Sequence, residues 1–481
     1  MLNVIPKPKQ IHIFGARVEI SATWSGIAVE KAMQTFCDYA DRVWKIRFQR
    51  TEDATLRVSY VKDLPPEGYR ILVTEDGTAF VNASDERGLH YAMSTLLLSF
   101  SKQGNCLYLP IMRIEDAPNE KAVWRGLSLD LARMWHPVRY IFDAIDLCWL
   151  YKINRLQLHF TDTQSFTLPT QTLPKLPTEG RTYTPTELAS IVEYAETRGI
   201  TLVPEVDMPG HCKPFQLAYP EIFGRYDREV FGKHGVMCLG ETAFQTLEKL
   251  LDEVMEWFPH SPYIHIGGDE AMIENWNKCP HCVAYMKEQG LENEKIAYAF
   301  YIARMTDYVL SKGRIPVVWE GFPSEYNHLI SKDVLVMEWD TGYQAPQSLL
   351  ESGFSLINCS WVPMYVVTYN KLKYWSPSEI LQWNMYSWRK WKDDRFENIT
   401  PIVVPEASRV FGGQLCAWGD GLKHCSSNEQ GCLDEFRLLS QRIPSVSERT
   451  WNQGEEVNAE QFEHRFLHTD DVLARLLRRE L

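Results

Sequence analysis

The sequence predicts an α/β chain: a (β/α)8 TIM barrel preceded by a small α+β domain. Three observations predict it. From Trp124 onward, short apolar stretches alternate with helical ones, the pattern of parallel βα units. Eight such stretches can be picked out, at 126–132, 155–162, 201–208, 263–268, 315–321, 334–340, 354–360 and 412–418. Nearly all end in an acid, an imidazole or an indole, as expected of strands whose C-terminal ends build a barrel's active site. The 481 residues are also too many for one small domain.

The first 117 residues read as the α+β domain. Residues 55–61 alternate as a half-buried strand. Two further strands flank Asp76-Gly77, a hairpin signal. Ser84 is placed to cap a helix along 87–100, where Leu89, Ala92, Leu96 and Leu97 recur at helical spacing. A last strand lies near 107–114. Nothing here suggests chemistry, so the domain reads as a support. Asp116-Ala117-Pro118 makes the junction, giving domains at 1–117 and 118–481. Within the barrel, helical runs fill 139–151, 185–198, 242–257 and 295–311, and Pro185 after Thr184 is a favourable helix start. The fifth-to-sixth and sixth-to-seventh intervals are too short for full crossover helices. The seventh-to-eighth interval is long and rich in Trp and Tyr, as binding loops are. Helices at 430–450 and 457–479 close the barrel.

A hydrophobic fraction of 45% supports a large core and argues against disorder. A net charge of −13 argues against nucleic acid as a main partner. No apolar run is long enough to span a bilayer. The N-terminus lacks the apolar core of a signal peptide, and the 11 cysteines are odd in number and scattered, so reduced thiols and a cytoplasmic location are expected. The one close pair, Cys279 and Cys282 in C-P-H-C, is a weak zinc signal without a second pair of matching spacing. No metal or other cofactor is expected.

The stretch Y-I-H-I-G-G-D-E, from Tyr263 to Glu270, draws the chemistry together. It begins as a strand, turns at Gly267 and Gly268, and ends in two adjacent carboxylates. Like charges raise one another's pKa, which suits a general acid working near neutral pH. The plain alternative is a strand end with a solvated acidic cap. Other strand ends decide against it. They bring Arg133, His159 and Asp162, Glu205, Asp207 and His211, Trp319-Glu320, Glu338-Trp339, Trp361 and Tyr365, and Trp418 and Asp420. One such Trp is ordinary packing; four suggest a box for the apolar face of a sugar.

These stretches resemble glycoside hydrolase family 20, the β-N-acetylhexosaminidases. The likeness is carried by R-G-L-S-L-D-L-A-R from Arg125, K-I-N-R-L-Q-L-H-F-T-D from Lys152, and R-G-I-T-L-V-P-E-V-D-M-P-G-H from Arg198. To these are added H-I-G-G-D-E from His265, V-V-W-E from Val317 and the W-G-D at Trp418, all in the family's order over roughly 120–452. The first 117 residues resemble the small domain that precedes this barrel, with R-G-L-H-Y-A-M-S-T-L-L-L from Arg87 fitting its second helix.

The resemblance implies an exo-acting retaining enzyme in which the substrate's own 2-acetamido group is the nucleophile. Glu270 would be the general acid/base. Asp269 would accept a hydrogen bond from the acetamide N–H and stabilise the oxazolinium intermediate. Tyr365 would donate to the acetamide oxygen, and Trp319, Trp339 and Trp418 would wall the sugar. Arg133 would grip ring hydroxyls, with Asp420 near the outer hydroxyls. Asp162 and His211 would tune Glu270 from behind. The implied partner is a glycan ending in N-acetylhexosamine, and a homodimer is left open, because loops at the barrel mouth can be completed by a second subunit in this family.

Two departures bear on specificity. After the tyrosine the family usually has Leu then Asp or Asn; here Tyr365 is followed by Val366 and Val367. After the last tryptophan it usually has Glu two places on; here it is Asp420. Both fall where the 4- and 6-hydroxyls should lie, so a preference for N-acetylgalactosamine or a 6-substituted sugar is the alternative expectation. Two other readings are a metal-dependent hydrolase using His159, Asp162, His211, His265 and Asp269, and a catalytically dead sugar-binding module. The intact Asp269-Glu270 pair argues against the latter.

Overall fold

Eight parallel strands close into a barrel in the computed structural model, which describes residues 2–225, 235–367, 376–389 and 400–477. They are β1 (Trp124–Asp130), β2 (Arg155–His159), β3 (Thr201–Glu205), β4 (Tyr263–His265), β5 (Ile315–Trp319), β6 (Leu335–Glu338), β7 (Ser355–Asn358) and β8 (Val410–Trp418). Each pairs in parallel with the next, and the ring closes through β8, which pairs β1 from Gly412↔Trp124 to Ala417↔Leu129. All eight expected strands are present. Each is shorter at its C-terminal end than the apolar stretch suggested, except β8, because the last residues leave the ladder to build the site.

The helices α1 (Val138–Leu150), α2 (Pro185–Glu196), α3 (Glu241–Trp257) and α4 (Glu294–Ser311) wrap the barrel at the expected places. The start of α2 shows why. Thr184 Oγ1 accepts the Glu187 N–H at 3.2 Å, and the Glu187 carboxylate accepts the Thr184 N–H at 2.8 Å, a reciprocal cap on two otherwise orphaned donors. Replacing Thr184 by Ala is expected to cost about 1 kcal/mol of stability, read as a lower urea midpoint with kcat unchanged. The short intervals behave as their length demands. A 3-10 turn, Ser324–Leu329, joins β5 to β6, and one short helix, Pro346–Glu351, joins β6 to β7. A strand not foreseen, Tyr365–Val367, lies against β8 and holds Tyr365 beside it. Parts of the Trp- and Tyr-rich interval, 368–375 and 390–399, fall outside the described residues. The closing helices are α5 (Asn428–Trp451) and α6 (Ala459–Leu477), beyond which 478 and 479 are also outside them.

The first domain is an eight-stranded sheet with helices Glu30–Trp44 and Glu86–Ser99. The strand over 56–60, the hairpin and the last strand are present. Two elements escaped the sequence. The strand Gln10–Ile20 is mostly exposed and lies at a sheet edge, so burial writes no alternation into it. The helix Glu30–Trp44 begins without a capping side chain. The cap of the second helix is also corrected: Asp85, not Ser84, accepts the Gly88 N–H, at 2.9 Å. That helix packs on the barrel, where Ser94 Oγ donates to the Leu150 carbonyl at 2.6 Å and Arg87 to Thr201 Oγ1 at 2.7 Å.

Inside the barrel, a hydrogen-bonded row climbs toward the site. Trp124 Nε1 donates to Gln414 Oε1 at 3.0 Å, Gln414 Nε2 to Gln157 Oε1 at 2.6 Å, and Gln157 Nε2 to Glu205 Oε2 at 2.7 Å. Glu205 Oε1 then accepts from Trp319 Nε1 at 2.6 Å. Every member is buried, so the row satisfies polar groups that would otherwise be costly there. No helix among the described residues is long and apolar enough to cross a membrane.

Candidate active site

The turn after β4 aims the carboxyl pair. Gly267 has φ +70°, and a Cβ there would lie 1.9 Å from Asp207 Oδ1, so only glycine fits. Asp207 Oδ1 accepts the Gly268 N–H at 3.1 Å, and the Tyr298 hydroxyl, from α4, donates to the Gly268 carbonyl. The chain then reaches Glu270 with φ +46°, a left-handed conformation that a non-glycine residue holds only when its surroundings enforce it. Asp269 is mostly buried, whereas the Glu270 side chain is 41% exposed. The two neighbours thus face different surroundings, one largely set into the wall and one at the opening.

Asp269 Oδ1 is buried and has no hydrogen-bond partner among the described residues. An unpaired acceptor of this kind is costly unless something arrives to satisfy it. Burial, then the charges of Glu270 and Glu205, push its carboxyl up to about 6, with His211 opposing. Asp207 is pushed well above the usual carboxylate range by burial and by the Asp269 and Glu205 charges. Glu205 goes the other way. Burial opposes its charge, but His159 and His265 and the hydrogen bonds it accepts hold it at about 2.

Behind Glu270 lies a line of alternating charge. Arg133 places one guanidinium nitrogen 3.0 Å from Asp130 Oδ2 and the other 2.7 Å from Asp162 Oδ2. Asp162 Oδ1 lies 3.2 Å from His211 Nδ1, and His211 Nε2 lies 3.3 Å from Glu270 Oε2. Burial works against a charge on His211, but Asp162 and then Asp207 and Glu270 outweigh it, and its pKa stands well above the usual imidazole value. An imidazolium beside Glu270 lends the carboxylate a counter-charge while leaving it open to a substrate.

The aromatic wall forms as expected in part. Trp319 and Trp418 stand 5.8 Å apart between ring centres, Tyr365 and Trp418 5.8 Å, and Trp339 stacks parallel to Tyr365 at 6.2 Å. Trp361, named at a strand end, stacks on Tyr365 at 4.5 Å. The Arg133 guanidinium lies over the Trp418 ring at 5.0 Å, and Asp420 Oδ1 is 3.7 Å from Arg133 Nε. All ten site residues expected from sequence therefore gather at one end of the barrel. Asp207, named at the end of the third strand without a role, joins them from the P-E-V-D stretch it shares with Glu205, and two more residues were missed. Tyr298 sits in a helix with no motif around it. Tyr343 lies in the loop after β6; burial, and then the charges of Glu270 and Asp269, push its phenol up. That loop is held by Glu320, which accepts the Tyr343 and Gln344 N–H groups at 2.8 Å each and is itself pushed up to about 8 by burial.

Of the residues considered as metal ligands, His211 and Asp269, with Asp207, bring ligand atoms within 4.8 Å of one another. Asp162 is instead engaged by Arg133, His159 and His211. His265 lies below, where its Nδ1 accepts the Gly267 N–H at 2.9 Å.

The closed parallel barrel thus carries an acid pair beyond its fourth strand, with indoles around it. The chain belongs to glycosyl hydrolase family 20: the family's catalytic domain matches residues 123–454, and its domain 2 matches residues 1–117. Among curated proteins, it is 32% identical over 327 residues to a beta-hexosaminidase of Akkermansia muciniphila, spanning 62% of this chain and 64% of that one. It is 28% identical over 399 residues to a beta-hexosaminidase of Vibrio furnissii, spanning 74% and 62%. The chain thus covers less than two thirds of the length of these relatives. Among solved structures, the GH20 exo beta-N-acetylglucosaminidase of Vibrio harveyi has the same fold, with a TM-score of 0.82 at 19% identity over 98% of this chain and 77% of that one.

Proposed function

We propose that this chain is an exo-acting retaining β-N-acetylhexosaminidase that hydrolyses terminal β-linked N-acetylhexosamine by substrate-assisted catalysis. The observation that carries the reading is Asp269 Oδ1, a buried acceptor with no donor among the described residues, beside an acid open to solvent. An acetamide N–H is the donor such an oxygen needs. Once the bond forms, the acetamide carbonyl oxygen turns toward the anomeric carbon and attacks it. Glu270, protonated, gives its proton to the departing glycosidic oxygen. The positive charge on the cyclic oxazolinium lies beside the Asp269 carboxylate, which stabilises it. Glu270, now ionised, takes a proton from the water that opens the ring, and the anomeric configuration is retained. Tyr365 donates to the acetamide oxygen, and Trp319, Trp339 and Trp418 enclose the acetamide and the sugar face. Arg133 holds ring hydroxyls, and Asp162 and His211 set the charge behind Glu270. The site needs no cofactor for these steps.

Val367 and the short Asp420 favour a second reading of specificity within the same reaction: a preference for N-acetylgalactosamine or a 6-substituted sugar over N-acetylglucosamine. The eleven free thiols fit a reducing compartment and so a cytoplasmic setting. Within the chain, the sheet-and-helix domain over 1–117 serves as the support for the barrel of 118–481.

A panel of nitrophenyl glycosides tests both levels. The 2-acetamido sugars are expected to be cleaved and the plain glucoside to be at least ~10³-fold slower in kcat/KM, because the nucleophile is missing. Equal cleavage of the plain glucoside, or an inverted product, would remove the mechanism. A strong gluco over galacto preference would remove only the specificity reading.

A further inference from the structure

We propose that Cys238, Cys279 and Cys282 bind one zinc ion, which ties together the two loops that carry His211 and the Asp269-Glu270 pair. The sulfur atoms of all three lie within 4.8 Å of one another. Cys238 and Cys279 stand 3.6 Å apart. Two thiolates on one tetrahedral zinc, with zinc–sulfur bonds of ~2.3 Å, stand about 3.8 Å apart. A disulfide would bring the same atoms to about 2.05 Å, so the two sulfurs are in contact without a bond, at a spacing that co-ligands of one ion also have.

The sequence hides this set. Cys279 and Cys282 form the C-x-x-C pair at the start of the helix Pro280–Glu288, but the third thiol comes from 41 residues earlier, in the loop after β3. The backbone prepares the meeting. The Leu239 N–H donates to Cys282 Sγ at 3.4 Å, an amide–sulfur bond that favours a thiolate, and Trp276 Nε1 donates to the Met237 carbonyl at 2.8 Å across the same seam. Gly224, with φ +83°, leaves room for the Cys238 sulfur, since a Cβ there would lie 2.4 Å from it. His281, between the paired cysteines, has its ring against Gly240, two residues past Cys238. It is the group at hand for the fourth position, which otherwise falls to water.

The position gives the ion its use. The Met237 N–H donates to the Pro209 carbonyl at 3.0 Å, two residues before His211. On the other side, Cys279 follows Glu270 by a short loop and one 3-10 turn, Ile273–Lys278. The His211–Glu270 contact therefore joins two loops whose far ends meet at the thiols. A zinc there fixes the separation of the two catalytic loops without touching substrate, and the inference stands apart from the glycosidase reading.

The full chain, produced with zinc present and purified without chelator, is expected to carry about one zinc per chain by elemental analysis. Cys238→Ser and Cys282→Ser are each expected to lose it, while Cys37→Ser, in the first domain, keeps it. A serine variant that misfolds would lose metal for another reason, so the unaltered chain is also stripped and reloaded with cobalt(II). Sulfur-to-cobalt charge-transfer absorption and the strong visible bands of a tetrahedral site are expected, and alkylating the thiols before loading should abolish them. Metal-free protein with no cobalt bands, zinc retained by Cys238→Ser, or a disulfide among the three in protein purified without oxygen would each overturn the proposal.

Discussion

Replacing Glu270 by Gln is expected to lower kcat/KM by about 10²–10⁴-fold for substrates with poor leaving groups, the usual yield of a positioned general acid. The loss should shrink for nitrophenyl glycosides, whose leaving groups depart with little help. The geometry behind this expectation is the 3.3 Å approach of His211 Nε2 to Glu270 Oε2. A glutamine in that place keeps the shape and accepts from the imidazolium, but it has no proton to deliver. The check is a plot of log kcat/KM against leaving-group pKa for both proteins: the variant should show the steeper slope. Parallel lines would mean that Glu270 does not act as the acid. Sugar binding, measured by calorimetry with the product, should survive the substitution.

Replacing Asp269 by Asn is expected to cost about 10²–10³-fold in kcat, comparable to removing one stabilising group from a transition state. The amide offers an N–H where the substrate also brings one, and it carries no charge to balance the oxazolinium. A second signature follows from pH. With its carboxyl pushed up to about 6 by burial, then by Glu270 and Glu205, Asp269 is ionised above that value and protonated below it. The ionised form is the competent acceptor, so kcat/KM should fall as pH drops through about 6. In Asp269→Asn that limb should vanish, whereas a limb left in place would belong to another group. A thiazoline mimic of the cyclic intermediate should bind the variant more weakly at pH 7, and unchanged inhibition would contradict the role.

Much of this was legible before any coordinates. The barrel could be read because each βα unit repeats the same local signals, and the ends of the strands could be read because polar groups there break an apolar pattern. Asp269, Glu270, His211 and Arg133 lay next to those breaks. The rest depends on contacts between distant segments, which leave no local trace. Tyr298 is one turn among many in α4, and its bond to the Gly268 carbonyl joins positions 30 residues apart. Cys238 has no near partner in the sequence, so the C-P-H-C pair looked incomplete. The strand Gln10–Ile20 has little buried surface and therefore little pattern. Asp85 displaced Ser84 as the helix cap because both are good caps, and only the path of the backbone chooses between them.

The file of side chains from Trp124 through Gln414 and Gln157 to Glu205 has a consequence for how this chain can vary. Each member owes its partner a donor or an acceptor, and all of them are buried. Exchange of Gln414 alone strands Trp124 on one flank and Gln157 on the other. Change at these places is then expected to be tolerated in matched sets rather than singly. A saturation library over the four positions would expose this as pairwise epistasis running down the barrel axis.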